Sequence, residues 1–245
     1  MAVKSMTYTL PNTEEKSVYV EQMFNKIAQK YDLFNDIITF GMHRQWKRFV
    51  ARQTDLHAEQ SCLDLCCGTG DIAREVLRQY PSSKVTGLDF SEEMLNIAES
   101  KNTSEIIVEY MPGDAMNIPF HDAVFDAVTI GYGMRNVQNI SKCLGEILRV
   151  LKPEGVLVSL DVGKVRIPIL AELNHFYFFQ IVPLVGKLLM PGEEIFQYLP
   201  ESSLEYPNQE FLKNLMIETG FQKVEFHNFV FGASTVHVAY KPAKN

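Results

Sequence analysis

The chain has 245 residues, 46% of them hydrophobic and 22% charged, which fits one large globular domain with a substantial core. Its net charge of −7 and isoelectric point near 5.4 argue against a nucleic-acid substrate, which calls for a basic face. Met1 to Thr13 lacks the apolar block of a secretory signal, so a cytoplasmic location is expected.

Residues 1–17 are polar and are expected to be mobile. From Val18 to Asn35, apolar residues recur at helical spacing (Val20, Phe24, Ile27, Ala28, Tyr31). Arg44 to Arg52 predicts a second, basic amphipathic helix with Trp46 and Phe49 on one face. It suits either packing on the domain or contact with an anionic membrane surface.

An apolar run, Cys62 to Cys67, then meets Gly68-Thr69-Gly70 and a helical pattern from Asp71. Strand, glycine turn and helix form the first unit of a nucleotide-binding α/β sheet. The glycines permit a sharp turn and close approach to a ligand. A second strand, Val85 to Asp89, ends in an acid where such folds hold a ribose diol. A dinucleotide loop would carry a third glycine, but Ala73 stands there. The Asp71 carboxylate would also repel a pyrophosphate, whereas a cofactor with an amino-acid tail would tolerate it. S-adenosylmethionine has such a tail.

Strands are predicted at 61–66, 84–89, 106–111, 124–131 and 155–161, and helices at 71–80, 91–101 and 138–151. Their alternation implies a parallel sheet with right-handed crossovers. Lys152-Pro153-Glu154-Gly155 reads as a helix stop and turn. The four cysteines (62, 66, 67, 143) form no C-x-x-C pair, so no metal site is expected and they read as small buried residues.

Between Val162 and Pro200 the rhythm breaks. Ile167 to Met190 is apolar and long enough for a membrane span, but Pro168, Pro183 and several polar residues argue against one. One or two helices over an apolar site are expected instead. A helix near Gln209–Thr219 and a hairpin of 221–230 with 233–240 complete the chain.

The sequence resembles the S-adenosylmethionine-dependent C-methyltransferases of menaquinone and ubiquinone biosynthesis, from about residue 18 to 241. The likeness rests on Met23-Phe24-Asn25-Lys26-Ile27-Ala28, Tyr31-Asp32-Leu33-Phe34-Asn35 and Phe40-Gly41-Met42-His43-Arg44. It continues through the glycine loop, Leu88-Asp89-Phe90-Ser91, Gly113-Asp114-Ala115 and, most specifically, Gly131-Tyr132-Gly133-Met134-Arg135-Asn136-Val137. The wording of several of these is closer to menaquinone members. Asp161 stands where a Glu is usual, and Phe231-Gly232 where the family has two glycines.

The resemblance implies a class I methyltransferase fold: a seven-stranded, mostly parallel sheet with a terminal antiparallel hairpin and helices on both faces. It implies one domain over 1–245, with an N-terminal helical lid (18–55) and an apolar insert (162–205). Cofactor contacts are expected at Asp64, Gly68, Thr69, Gly70, Asp89, Phe90, Asp114, Ala115 and Gly131, the last through backbone alone. Arg135 is the expected catalytic residue, holding a phenolate. Tyr31, Asn35, His43, Phe178 and Phe179 are expected at the substrate. The implied reaction is methylation of a ring carbon of a prenylated hydroquinone, demethylmenaquinol to menaquinol. A ubiquinone-pathway or bifunctional enzyme is the alternative, and an NAD(P)-dependent oxidoreductase a more distant one. Transient contact with the inner membrane face is expected, and a homodimer is left open.

Overall fold

The computed structural model describes residues 16–192 and 195–244. The mobility expected of residues 1–15 lies outside them, and Lys16 already begins the first helix. In chain order the elements are α1 (Lys16–Thr39), α2 (Met42–Gln53), β1 (Ser61–Leu65), α3 (Asp71–Gln79), β2 (Lys84–Asp89), α4 (Glu92–Ser100), β3 (Glu109–Pro112), β4 (Phe125–Gly131), α5 (Ile140–Val150) and β5 (Leu151–Val162). They continue with α6 (Pro168–Phe176), a π turn (Tyr177–Ile181), α7 (Val182–Leu189), α8 (Ile195–Glu205), α9 (Gln209–Thr219), β6 (Gln222–Phe229) and β7 (Ser234–Tyr240).

The strands form one sheet in the order β3-β2-β1-β4-β5-β7-β6. β1 to β5 run parallel, and β7 is antiparallel to both β5 and β6. This is the sheet expected from the sequence, and the hairpin inserts its second strand beside β5. Alternating side chains supply two cores. Leu63, Leu65, Val128, Ile130 and Leu157 face α5 and α9, whereas Cys62, Ala127, Val156 and Val158 face α2 and α3.

Two strand boundaries differ from expectation. β3 is an edge strand paired only along Thr86–Asp89, so it holds four residues rather than six. β5 starts at Leu151, because Lys152 to Gly155 form a bulge inside the strand rather than a turn before it. The insert holds two runs of helix: α6 and α7, joined without a break by the π turn, and α8. Pro183 lacks the N–H that would bond the carbonyl four residues back, and the chain widens into the π turn rather than breaking. Ile27 and Phe34 of α1 pack with Val182, Phe196 and Tyr198 of the insert in a third core. Tyr177 of the insert donates its hydroxyl to the Ile38 carbonyl at 2.6 Å.

One carboxylate ties the centre of the sheet to its first helix. Asp64 of β1 accepts from the Thr129 hydroxyl on β4 at 2.7 Å and from Ala73 N–H at 3.0 Å. Ala73 lies in the first turn of α3, whose cap residue is Gly70, so Asp64 supplies the acceptor that a capping side chain would otherwise provide. Burial pushes the Asp64 carboxyl up to about 7. The folded protein then holds a proton that the unfolded chain has already lost above about pH 4, so stability falls as pH rises from about 4 to 7. Asp64→Asn should flatten that slope, and at pH 8 it should match or exceed the wild type by about 1 kcal/mol. Denaturant melts across pH 4–8 test this, and parallel slopes for the two proteins would contradict it.

Candidate active site

The carboxyl ends of β1, β2 and β4 converge on a cavity of about 260 Å³. Gly68 lies at φ 54° and Gly70 at φ 76°, both left-handed. A Cβ on Gly70 would stand 2.1 Å from the Tyr110 hydroxyl, whereas one on Gly68 would meet nothing within 4 Å. Gly68 therefore leaves open space beside the loop. Asp89, 6% exposed, closes the far side. Its two oxygens accept Gly68 N–H at 2.8 Å and Ser91 N–H at 2.9 Å. A carboxylate has about four acceptor positions, so capacity remains for a ligand. Burial raises the Asp89 carboxyl above the usual carboxylate range.

Gly68, Asp89, Phe90, Asp114, Ala115 and Gly131 all line this cavity. Asp64, Thr69 and Gly70 do not. Asp64 is committed to β4 and α3, Gly70 caps α3, and the Thr69 hydroxyl donates to Asp32 of α1 at 2.7 Å. A Cβ at Gly131 would fall 2.4 Å from Ile72 Cδ1, so the glycine accommodates α3 as well as the cavity.

Asp71 does not exclude a pyrophosphate by its charge. Lys47 and Arg74 pair with it at 2.7 and 2.6 Å, Lys101 stands at 3.9 Å, and its carboxyl is held at about 2. Several donors of the loop are instead already in use. Cys67 N–H bonds the Leu88 carbonyl, Gly68 N–H bonds Asp89, Gly70 N–H bonds the Cys67 carbonyl, and Ala73 N–H bonds Asp64. A diphosphate would find these amides taken.

A second cavity of about 460 Å³ adjoins the first and shares Phe24, Tyr31, Tyr132 and Asn136 with it. Its walls are mostly apolar and come from α1, α2, the insert and the ends of β4 and β5. Tyr31, Asn35, His43, Arg135 and Phe178 meet here. Phe179 does not line this cavity; its ring stacks on His175 at 4.3 Å. Among their neighbours in the insert, Tyr177 is in the wall, while Phe176, Leu184 and Leu188 are exposed.

Sequence reasoning left Tyr132, Phe40 and Phe231 unassigned. Tyr132 (φ 58°) and Cys66 (φ 53°) are strained residues at the ends of β4 and β1, both on cavity walls. Phe231 takes φ 56°, which explains why glycine is usual there; its ring lies in the larger cavity's wall while remaining exposed. The departure from the family's glycine was the available signal.

His43 is buried, with Nε2 2.9 Å from Asp36 Oδ1 and Nδ1 without a partner. Arg135 is buried too. Its Nη1 donates to Asp161 at 2.7 Å and to the Tyr132 carbonyl at 2.9 Å, and its own N–H reaches the other Asp161 oxygen at 3.2 Å. Arg135 Nε has no partner among the described residues. Arg135 thus holds the end of β5 to the turn after β4, a structural role. Removing one member of a buried ion pair typically costs about 3–5 kcal/mol. Arg135→Ala should therefore lose stability on that scale, with Arg135→Ala/Asp161→Ala less destabilised than the sum of the two single variants. Chemical denaturation of the cycle tests the coupling, and additive losses would contradict it.

A model of the ubiE/COQ5 methyltransferase family matches residues 12–241. A demethylmenaquinone methyltransferase of Leptospira interrogans is 46% identical over 97% of this chain and 98% of its own length. One from Staphylococcus aureus is 37% identical over 92% and 94%. Among solved structures, a SAM-dependent methyltransferase from Thermotoga maritima superposes with a TM-score of 0.62 at 20% identity, covering 90% of this chain and 99% of that one, which is a likeness of fold. The family match spans nearly all of the chain and agrees with the sheet order: this protein belongs to the ubiE/COQ5 methyltransferase family.

Proposed function

We propose that the protein transfers a methyl group from S-adenosylmethionine to a ring carbon of a prenylated hydroquinone, converting demethylmenaquinol to menaquinol. The observation that carries this reading is the pair of adjoining cavities, one around a buried carboxylate and the other apolar, with Tyr31 and Tyr132 in both walls. The names of the relatives favour the menaquinol substrate over a ubiquinone precursor.

The smaller cavity fits the cofactor. The Asp89 carboxylate keeps acceptor capacity beyond its backbone partners, as a ribose diol needs, and Gly68 leaves room beside it. Phe90, Asp114 and Ala115 are assigned to the adenine end. When bound, S-adenosylmethionine supplies an electrophilic methyl on a sulfonium, with no metal needed. The protein's own task is then to activate a weak carbon nucleophile. A phenol ordinarily titrates near ~10, so its proton must be drawn off or its anion stabilised. Arg135, in the larger cavity's wall and between the shared residues Tyr132 and Asn136 in sequence, is assigned to the oxygen as its charge develops; Tyr31 and Asn35 are assigned to orienting the ring. The occupied loop amides disfavour a dinucleotide-dependent oxidoreductase.

The larger cavity is assigned to the first part of the prenyl tail, with residues 18–55 as a lid and 162–205 as the opposite wall. The continuous helix Pro168–Leu189 is long and apolar enough, by length and composition, to cross a membrane. Here it is tied to α1 through Tyr177 and contributes Phe178 to the larger cavity. Its exposed Ile169, Leu173, Phe176 and Leu188, with Phe40 and Phe231, suit a face that rests on lipid while the tail enters.

A methyl-transfer assay comparing demethylmenaquinol with a ubiquinol precursor tests the substrate. Preference for the latter would overturn the menaquinol assignment. Asp89→Asn should weaken S-adenosylhomocysteine binding at least tenfold by calorimetry, since bonds to a charged acceptor contribute about 1.5–3 kcal/mol each. An unchanged dissociation constant would remove Asp89 from the ribose. Leu173→Ser with Phe178→Ala should raise KM for a long-tailed quinol far more than for a tail-less one, each buried methylene being worth about 0.8 kcal/mol. Equal increases would assign these residues to folding alone.

A further inference from the structure

The two ring nitrogens of His43 are unlike. Asp36 is held ionised, at about 2, first by the fork of Arg44, which reaches its two oxygens at 2.8 and 2.6 Å. An ionised carboxylate only accepts, so its contact with Nε2 fixes the imidazole proton on that nitrogen. Nδ1 is left as a bare lone pair, buried and without a partner among the described residues. The charged groups facing the ring are Asp36 from α1, Lys47 from its own helix and Asp71 from α3. Burial first, then Lys47, outweighs the two carboxylates and holds the imidazole below its ordinary value. The ring is therefore neutral near pH 7.

A buried acceptor with no partner is costly. His43 forms part of the wall of the larger cavity, so that cavity is where a donor can come from. Apart from Tyr31, the other titratable side chains of that wall are committed elsewhere. Lys47 is paired with Asp71, and Arg135 with Asp161. Tyr177 and Tyr198 donate to Ile38 and Asn136, and Tyr132 bonds Ser234. Tyrosines ordinarily keep their protons in this range. Arrangements of this kind, a lone pair on one nitrogen and an orienting carboxylate on the other, are those of a general base.

We propose that His43 is the general base of the methyl transfer and that Asp36 is its positioning residue. The assignment rests on the aromatic acceptor proposed above. The hydroquinone hydroxyl gives its proton to Nδ1, and the imidazolium is stabilised by Asp36. The ring carbon then bonds the methyl carbon as the carbon–sulfur bond breaks, with its electron pair going to sulfur. The ring hydrogen departs to water as a proton, aromaticity returns, and Nδ1 gives its proton back to the oxygen. One proton is released per turnover.

His43→Gln isolates this role, because the amide nitrogen can keep the bond to Asp36 while no base remains at the Nδ1 position. General bases typically contribute about 10²–10⁴-fold. We expect kcat to fall at least a hundredfold with KM within threefold. The wild-type rate should level off with rising pH above the depressed histidine value, while the variant's continues to climb toward ~10, where the phenol ionises unaided. Asp36→Asn should lower kcat about tenfold and move the wild-type pH inflection. Independently of turnover, 15N NMR of the wild-type protein should show His43 protonated on Nε2 and bare on Nδ1, with the Nδ1 resonance moving when 1-naphthol is added. A glutamine variant with near-normal kcat, a pH profile parallel to the wild type, or an Nδ1 resonance indifferent to 1-naphthol would each overturn the proposal. Should the wild type methylate no quinol, the functional reading fails, while the naphthol titration still reports on His43 itself.

Discussion

From β1 the chain winds outward to β2 and β3, then returns to place β4 on the other side of β1. No crossover covers the carboxyl ends of the two central strands, and the site occupies the gap this leaves. The glycine loop leaves from β1, Asp89 ends β2, and Gly131 ends β4 beside Tyr132. Two of the non-glycine residues with left-handed backbones, Cys66 and Tyr132, sit at the lips of the same gap. Backbone strain of this kind persists only where surrounding structure holds it, and here the packed parallel sheet does so.

The acidic residues around the loop divide by what surrounds them rather than by type. Asp64 is buried against neutral donors, and its ionisation is disfavoured. Asp71, nine residues after β1 begins to bury its side chains, is ringed by cations and stays charged. Asp89 lies between, desolvated but holding two amides. A reading of the sequence sees three aspartates near a glycine turn. Only the packing of α2 and α3 around them separates a structural acid, an ion-paired acid and one with lone pairs to offer.

That division explains what was legible in advance. The sheet could be read because buried parallel strands and amphipathic helices carry opposite periodicities, and each glycine turn announces itself locally. Residues placed by one strand end, such as Asp89, Ala115 and Gly131, were legible for the same reason. Thr69 was not, because its hydroxyl is taken by Asp32, a residue of α1 that is remote in sequence. Phe178 and Phe179 were indistinguishable, since the π turn alone decides which ring faces the cavity. The partner of Arg135 was likewise hidden, lying at the end of β5, 26 residues further on.

Helix α1 touches everything that matters. Its Asp32 accepts from Thr69 in the glycine loop and pairs with Lys101 after α4, its Asn25 bonds Ser91 beside Asp89, and its Tyr31 stands in both cavities. It is therefore a common border rather than a cover for one ligand. Thermodynamic reciprocity follows from that placement: whatever free energy a molecule in one cavity spends in settling α1 is no longer required of a molecule in the other, and by the same factor in either order. Occupants of two sites that share a helix in this way would be coupled in affinity to the extent that each settles α1, even with no bond passing directly between them.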